Sequence, residues 1–182
     1  MKILPMLVLL TSATLLWATP PAAGTDFRNR MVSNKNFLKA DLGKSKFERV
    51  RFNDANFSGT NLSEVRFRQS DFAGSDFRAA KFSQNTNFYQ CALNGTNFEG
   101  TDLGHANFHK VNFQGANLRN TKNWGQISHS TFMRADLRGA DFSTAKGNFK
   151  RVKWQDAVYD EKTVFPPGII PNQVGARKAN KQ

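Results

Sequence analysis

Ala55-Asn56-Phe57-Ser58-Gly59-Thr60-Asn61-Leu62 holds the rule that most of the chain obeys. A small residue and a polar residue precede a Phe or Leu, two variable residues follow, and the unit begins again. Taking the Phe or Leu as the centre of each quintet, the centres run Phe37, Leu42, Phe47, Phe52, Phe57, Leu62, Phe67, Phe72, Phe77 and Phe82. After one extra residue they resume at Phe88, Leu93, Phe98, Leu103, Phe108, Phe113 and Leu118. A fixed internal period decides architecture before local propensity does, because each unit buries its apolar face against its neighbours.

A strand alternates faces every two residues and a helix repeats near 3.6, so a strict five is neither as a continuous element. It fits short extended pieces joined by corners, with every centre pointing inward and successive turns pairing backbone groups about 4.8 Å apart. The small residue two before each centre (Ala40, Ser45, Val50, Ala55, Thr60, Val65, Ser70, Ser75, Ala80) shares the interior with it. Large beside small is what a narrow, close-packed interior needs. The residue just before each centre, usually Asp, Asn, Lys or Arg, is expected to face water. The two after it form the corner, and Gly59, Gly74, Gly95, Gly100 and Gly115 all occupy its second place, where a tight turn tolerates little side chain.

These quintets resemble the pentapeptide-repeat family, whose motif is Ala-(Asp/Asn)-Leu-x-x with Phe allowed for Leu. The close matches begin Ala55-Asn56-Phe57, Ala106-Asn107-Phe108, Ala116-Asn117-Leu118, Ala135-Asp136-Leu137 and Ala140-Asp141-Phe142, and the resemblance covers residues 35–160. It implies an all-β, right-handed quadrilateral β-helix with four quintets per coil. On that reading about 24 quintets make about six coils, a rod roughly 30 Å long at about 4.8 Å per coil.

The ends and the slips divide the chain. Met1-Lys2, the apolar run Ile3 to Trp17 and the small-residue exit Ala18 to Gly24 read as a secretory signal peptide, cleaved after Ala18 or Ala23. The run is shorter than the roughly 20 residues of a comfortable membrane span. An uncleaved N-terminal anchor is the alternative. The expected division is a signal peptide over 1–23, a capped repeat domain over 24–165, and a Pro-containing closing segment with a disordered basic tail over 166–182. Pro166, Pro167 and Pro171 remove backbone donors and are expected to stop strand addition. The extra residue in Ser83 to Asn87 is expected to bulge at a corner. Leu118 and Ile127 are nine apart, so Asn123-Trp124-Gly125 is expected to form a shortened corner, with Trp124 filling the place of the missing centre.

Chemistry is sparse. The lone Cys91 sits at a small-residue position and reads as packing. His105 and His109 lie in consecutive corners with diverging side chains, so no metal site is expected, and no cofactor-binding or catalytic constellation is found. Charge says more: 26 Lys and Arg against 14 Asp and Glu give a net charge of +12, which favours anionic partners. If quintets 20 residues apart stack, Lys46, Arg49, Arg66, Arg68, His109 and Lys110 share one wall, opposed by Glu48 and with Tyr89 beside them. The neighbouring wall, with Asp41, Lys44, Glu64, Lys81 and Asp102, is mixed.

The expected function is an exported, non-enzymatic binding or scaffold module, periplasmic or secreted, that presents this basic wall to a polyanionic envelope component, a glycan or another protein. Export disfavours nucleic acid, and membrane attachment requires an uncleaved signal segment. Topoisomerase interaction by DNA mimicry, known for some members of the family it resembles, wants an acidic cytosolic protein. A purely structural role is the remaining alternative.

Overall fold

The computed structural model describes residues 14–15, 20–32 and 35–180. The chain winds as a parallel β-solenoid. One side is a sheet of seven short strands in sequence order: β1 (Thr14–Leu15), β2 (Asp26–Val32), β3 (Lys46–Arg51), β4 (Arg66–Arg68), β5 (Asn87–Tyr89), β6 (Asn107–His109) and β7 (Ile127–Ser128). The other sides are columns of single bridges between turns. One column joins Arg51, Asp71, Ala92, Asn112, Thr131 and Lys153; another joins Asp41, Asn61 and Lys81. The third runs through Asn36, Asn56, Asp76, Asn97, Asn117, Asp136, Val158 and Arg177, so the rod has about 8 turns rather than the expected six. The additional turns come from its ends.

The interior is the repeat made visible. Every centre from Phe37 to Phe77 is at most 1 % exposed. Rings stack coil upon coil: Phe37 on Phe57 at 4.7 Å, Phe57 on Phe77 at 4.9 Å and Phe77 on Phe98 at 4.6 Å. Adjacent columns meet edge to face, as Phe52 and Phe57 do at 5.3 Å, which suits the ring quadrupoles. The small positions from Ser45 to Ala80 are buried too, and their hydroxyls bind coils together. Ser75 Oγ accepts from the Ala55 N–H at 3.1 Å and donates to the Phe52 carbonyl at 2.9 Å. Without such partners a buried hydroxyl would be costly.

The polar residue before each centre does more than face water. On three sides its Oδ1 accepts the N–H two residues on, as at Asn56 to Ser58 (2.9 Å), Asp71 to Ala73 (3.0 Å) and Asp102 to Gly104 (2.9 Å). This side-chain turn closes the corner, which is why short Asn and Asp dominate there. At two of the glycines the second corner place demands a conformation rather than space. Gly100 and Gly115 have φ of 69° and 67° with nothing within 4 Å of an added Cβ. Lys39, Lys44, Ala79 and Asn120 hold the same left-handed backbone with full side chains.

Both ends depart from expectation. Asp26–Val32 is a strand paired with β3, so Arg30, Met31 and Val32, which carry no quintet motif, extend the sheet. Of the expected signal segment, 1–13 and 16–19 lie outside the described residues, and Thr14–Leu15 pairs with Met31–Val32. The reading of the chain from Asn172 onward as a disordered basic tail is corrected as far as residue 180. After a 3₁₀ turn at Pro171–Val174, β9 (Arg177–Lys178) pairs in parallel with β8 (Val158–Tyr159), and Ala176 is buried. Pro171 does not stop strand addition because it opens that turn, six residues ahead of the pairing segment.

Candidate functional site

The sheet side differs chemically from the other three because its residues before the centres are not bound to close a corner. Lys46 and Arg66 occupy that place in extended backbone, facing each other across β3 and β4. Even the asparagines there look elsewhere. Asn87 Nδ2 donates to the Asn85 carbonyl at 2.6 Å, and Asn107 Nδ2 donates to the Gln84 carbonyl at 2.9 Å and to Asn87 Oδ1 at 3.1 Å. Freed from the side-chain turn, the position accepts long cations, whose stems lie over the sheet and whose charges reach solvent.

All six residues of the expected basic wall lie on this side, in three columns. Lys46 and Arg66 form the first. In the second, Glu48 faces Arg68, Arg68 faces Tyr89, and Tyr89 faces His109. In the third, Arg49 Nε donates to Gln69 Oε1 and Gln69 Nε2 to Gln90 Oε1, both at 3.2 Å, with Lys110 at the equivalent corner one coil on. Glu48 is held 3.9 Å from both Arg28 and Arg49. Among the described residues, no carboxylate lies within ion-pair distance of Lys46, Arg66, Arg68 or Lys110.

One feature of this side is absent from the expected set. The Arg68 guanidinium sits 5.3 Å above the Tyr89 ring, Tyr89 stacks on His109 at 5.1 Å, and His109 meets His129 edge to face at 5.3 Å. Arg151 Nη1 then donates to His129 Nε2 at 3.0 Å, and His109 Nδ1 bonds Ser128 Oγ. The ladder runs along the rod with an arginine at each end. Its sequence signal is residues spaced by one coil, which is visible only once the coil length is known.

Burial, then the neighbouring His129 and Lys110, holds His109 below the ordinary imidazole value. Its folded value being depressed, the unfolded chain binds the proton more readily. The stability it contributes is present above about pH 6.5 and is lost as pH falls through the folded value. The melting temperature is therefore expected to drop between pH 7 and pH 5 less in His109→Gln than in the natural chain, as read by circular dichroism; equal drops would contradict it.

Elsewhere the chemistry is quiet. Cys91 is buried, burial pushes its thiol up to about 12, and its Sγ donates to the Tyr89 carbonyl at 3.5 Å. Among the described residues, no group of three or more His, Cys, Asp or Glu side chains could hold a metal ion, and no helix is long and apolar enough to cross a membrane.

With this geometry in place, comparison with known proteins is informative about fold. A model of the pentapeptide repeat region matches residues 25–98, and a model of eight copies of the pentapeptide repeat matches residues 86–122. Curated protein sequences give no match. Among solved structures, a trypsin-treated form of QnrB1, a plasmid-mediated fluoroquinolone resistance protein, aligns at 22 % identity over 87 % of this chain and 84 % of its own, with a TM-score of 0.59. The full-length form of QnrB1 aligns at 18 % identity over 87 % and 86 %, with a TM-score of 0.52. Repeat register, coil geometry and both family models agree, and the chain belongs to the pentapeptide-repeat family.

Proposed function

We propose that this protein is an exported, non-enzymatic module that binds polyanions along the sheet side of its solenoid. The observation that carries this reading is the alignment of Lys46, Arg66, Arg68 and Lys110 on one side, none of them within ion-pair distance of a carboxylate among the described residues although Asp26 and Glu48 stand opposite Lys46 and Arg68, in columns whose members stand one coil apart. Cations repeated at about 4.8 Å along a rigid rod match a polymer bearing a charge on every unit. Binding of this kind releases counterions and weakens steeply with salt. Surface imitation of nucleic acid fits less well, because it requires carboxylates where this side carries lysine and arginine.

The test uses labelled polyphosphate as a generic polyanion. Arg66→Glu/Arg68→Glu is expected to weaken binding by more than about tenfold at low salt and to reduce the slope of log affinity against log salt by about 2 or more. Both side chains are exposed, so the melting temperature should hold. Unchanged affinity in the variant would overturn the reading. Export is tested separately by intact mass: the mature mass in the periplasmic or secreted fraction supports it, and the full-length mass in the cytosol overturns it.

A further inference from the structure

The corner between the bridge column of Asp102 and the sheet side is uneven along the rod. One coil gains a residue at Gln84-Asn85, so Phe67 pairs with Phe88 rather than with its twentieth successor. Two coils later Asn123-Trp124-Gly125 loses one, and Phe108 pairs with Ile127. A projection followed by an indentation at the same corner opens a groove, lined by Gln84, His105, Asn107, Gln126, Ser143 and Lys146 among others. Between β3 and β4 and between β5 and β6 the coil keeps its twenty-residue length.

The free groups in this groove are specific in kind. Asn107 is committed: its amide serves Gln84 and Asn87, and its Oδ1 accepts the Gln126 N–H at 3.1 Å. The Gln84 and Gln126 amides, the Ser143 hydroxyl, the His105 imidazole and the Lys146 ammonium are exposed, with no side-chain hydrogen bond among the described residues. Amides and hydroxyls both donate and accept, as sugar hydroxyls do. One full cation, Lys146, matches one carboxylate. No Phe, Tyr or Trp ring lines the groove, and the His105 imidazole is its one ring. The groove also continues the first basic column. Asn87, Asn107 and Gln126 stand in successive coils after Lys46 and Arg66, and Gln126 is bridged to Lys146. A polymer lying along that column passes from bare cations into a hydrogen-bonding trough.

From this juxtaposition we infer that the groove is a saccharide subsite and that the polyanion taken by the sheet side is an acidic glycan bearing carboxylates. The inference rests on the polyanion reading above and names its ligand class. From Arg66 to Lys146 is four coils, about 19 Å at about 4.8 Å per coil, so an oligomer of several sugars is needed to span both.

The experiment compares an oligogalacturonate hexamer with polyphosphate on the full chain and on Gln84→Ala/Gln126→Ala, a change that alters no charge. The expected result is a loss of about tenfold or more in hexamer affinity, two hydrogen bonds' worth, with polyphosphate affinity unchanged. Lys146→Ala should weaken the hexamer further, and melting temperatures confirm folding throughout. Equal affinity of the double variant for the hexamer, or equal losses for both polymers, overturns the subsite while leaving the polyanion reading standing. Failure of the natural chain to bind either polymer overturns both.

Discussion

Phe77→Ala is expected to cost about 3–5 kcal/mol, the range for deleting a fully buried aromatic side chain. Phe77 is 0 % exposed and lies mid-rod, sandwiched between Phe57 at 4.9 Å and Phe98 at 4.6 Å. Edge contacts from Phe72, Phe82 and Phe88 close the layer at 5.6, 6.3 and 6.4 Å. The cavity cannot collapse, because backbone bonds to the coils above and below fix the coil spacing: the Phe77 N–H donates to Asn97 and the Asp76 N–H to Ala55. The cost is a large share of a normal stability of about 5–15 kcal/mol, and for a chain of this size corresponds to a melting shift of roughly 6–20 °C. A solenoid holds together through nearest-neighbour interfaces, so a weakened middle should also divide the unfolding transition. The measurement is thermal unfolding beside Phe77→Leu, since Leu already serves as a centre at Leu42 and Leu62; that change should cost under about 1.5 kcal/mol. Equal stability of the two variants would mean the stacked column is not what holds the coils.

How far the sequence carries follows from what each position must satisfy. Centres and small positions were legible because an interior wide enough for one ring per side admits only Phe, Leu and small partners, and the residues show it quintet after quintet. The basic wall was legible by the same register, since residues one coil apart share a side. Less was visible where the controlling contact is backbone. Asx residues and cations look interchangeable before the centres and occur on both kinds of side, Arg51, Lys81 and Lys153 in bridge columns and Asn87 and Asn107 in the sheet, so only the extended backbone marks the sheet side. The last coil went uncounted because its residues break the motif: Lys178, opposite Tyr159, stands where a Phe or Leu centre is expected. Backbone pairing to a finished coil needs no motif, and an exposed sheet edge recruits whatever extended segment follows. The groove was hidden for a related reason. Both slips, at Ser83 to Asn87 and at Thr121 to Ser130, are plain in the residues, but that they fall on one corner depends on how many residues each turn consumes.

The second slip gives the other large effect. Gly125→Ala is expected to destabilise by about 3 kcal/mol or more, the upper end of what forced overpacking costs. The corner is one residue short, so the coil is drawn in against its neighbour. A Cβ on Gly125 would fall within the carbonyl oxygens of His105 and Ala106, which are backbone and cannot move aside. The same shortage swings Trp124 inward, where it is 0 % exposed, stacks on Phe142 at 4.6 Å and packs against Phe108 at 5.4 Å. Its Nε1 has no hydrogen-bond partner, a desolvation cost of about 1–3 kcal/mol accepted for filling the missing centre. Gly125 therefore differs in kind from Gly115, which needs its glycine for a φ of 67° and has open space beyond it. Gly115→Ala should cost about 1–2 kcal/mol, the penalty of a left-handed backbone for an L-residue. Chemical denaturation of the two variants separates conformation from close approach. A Gly125→Ala cost no greater than that of Gly115→Ala would mean that the coils are not in contact at this corner. In that case the indentation forming the groove would not exist, and oligogalacturonate binding should survive the substitution; if the coils do touch, the variant loses the groove while Lys46, Arg66 and Arg68, several coils away, continue to bind polyphosphate.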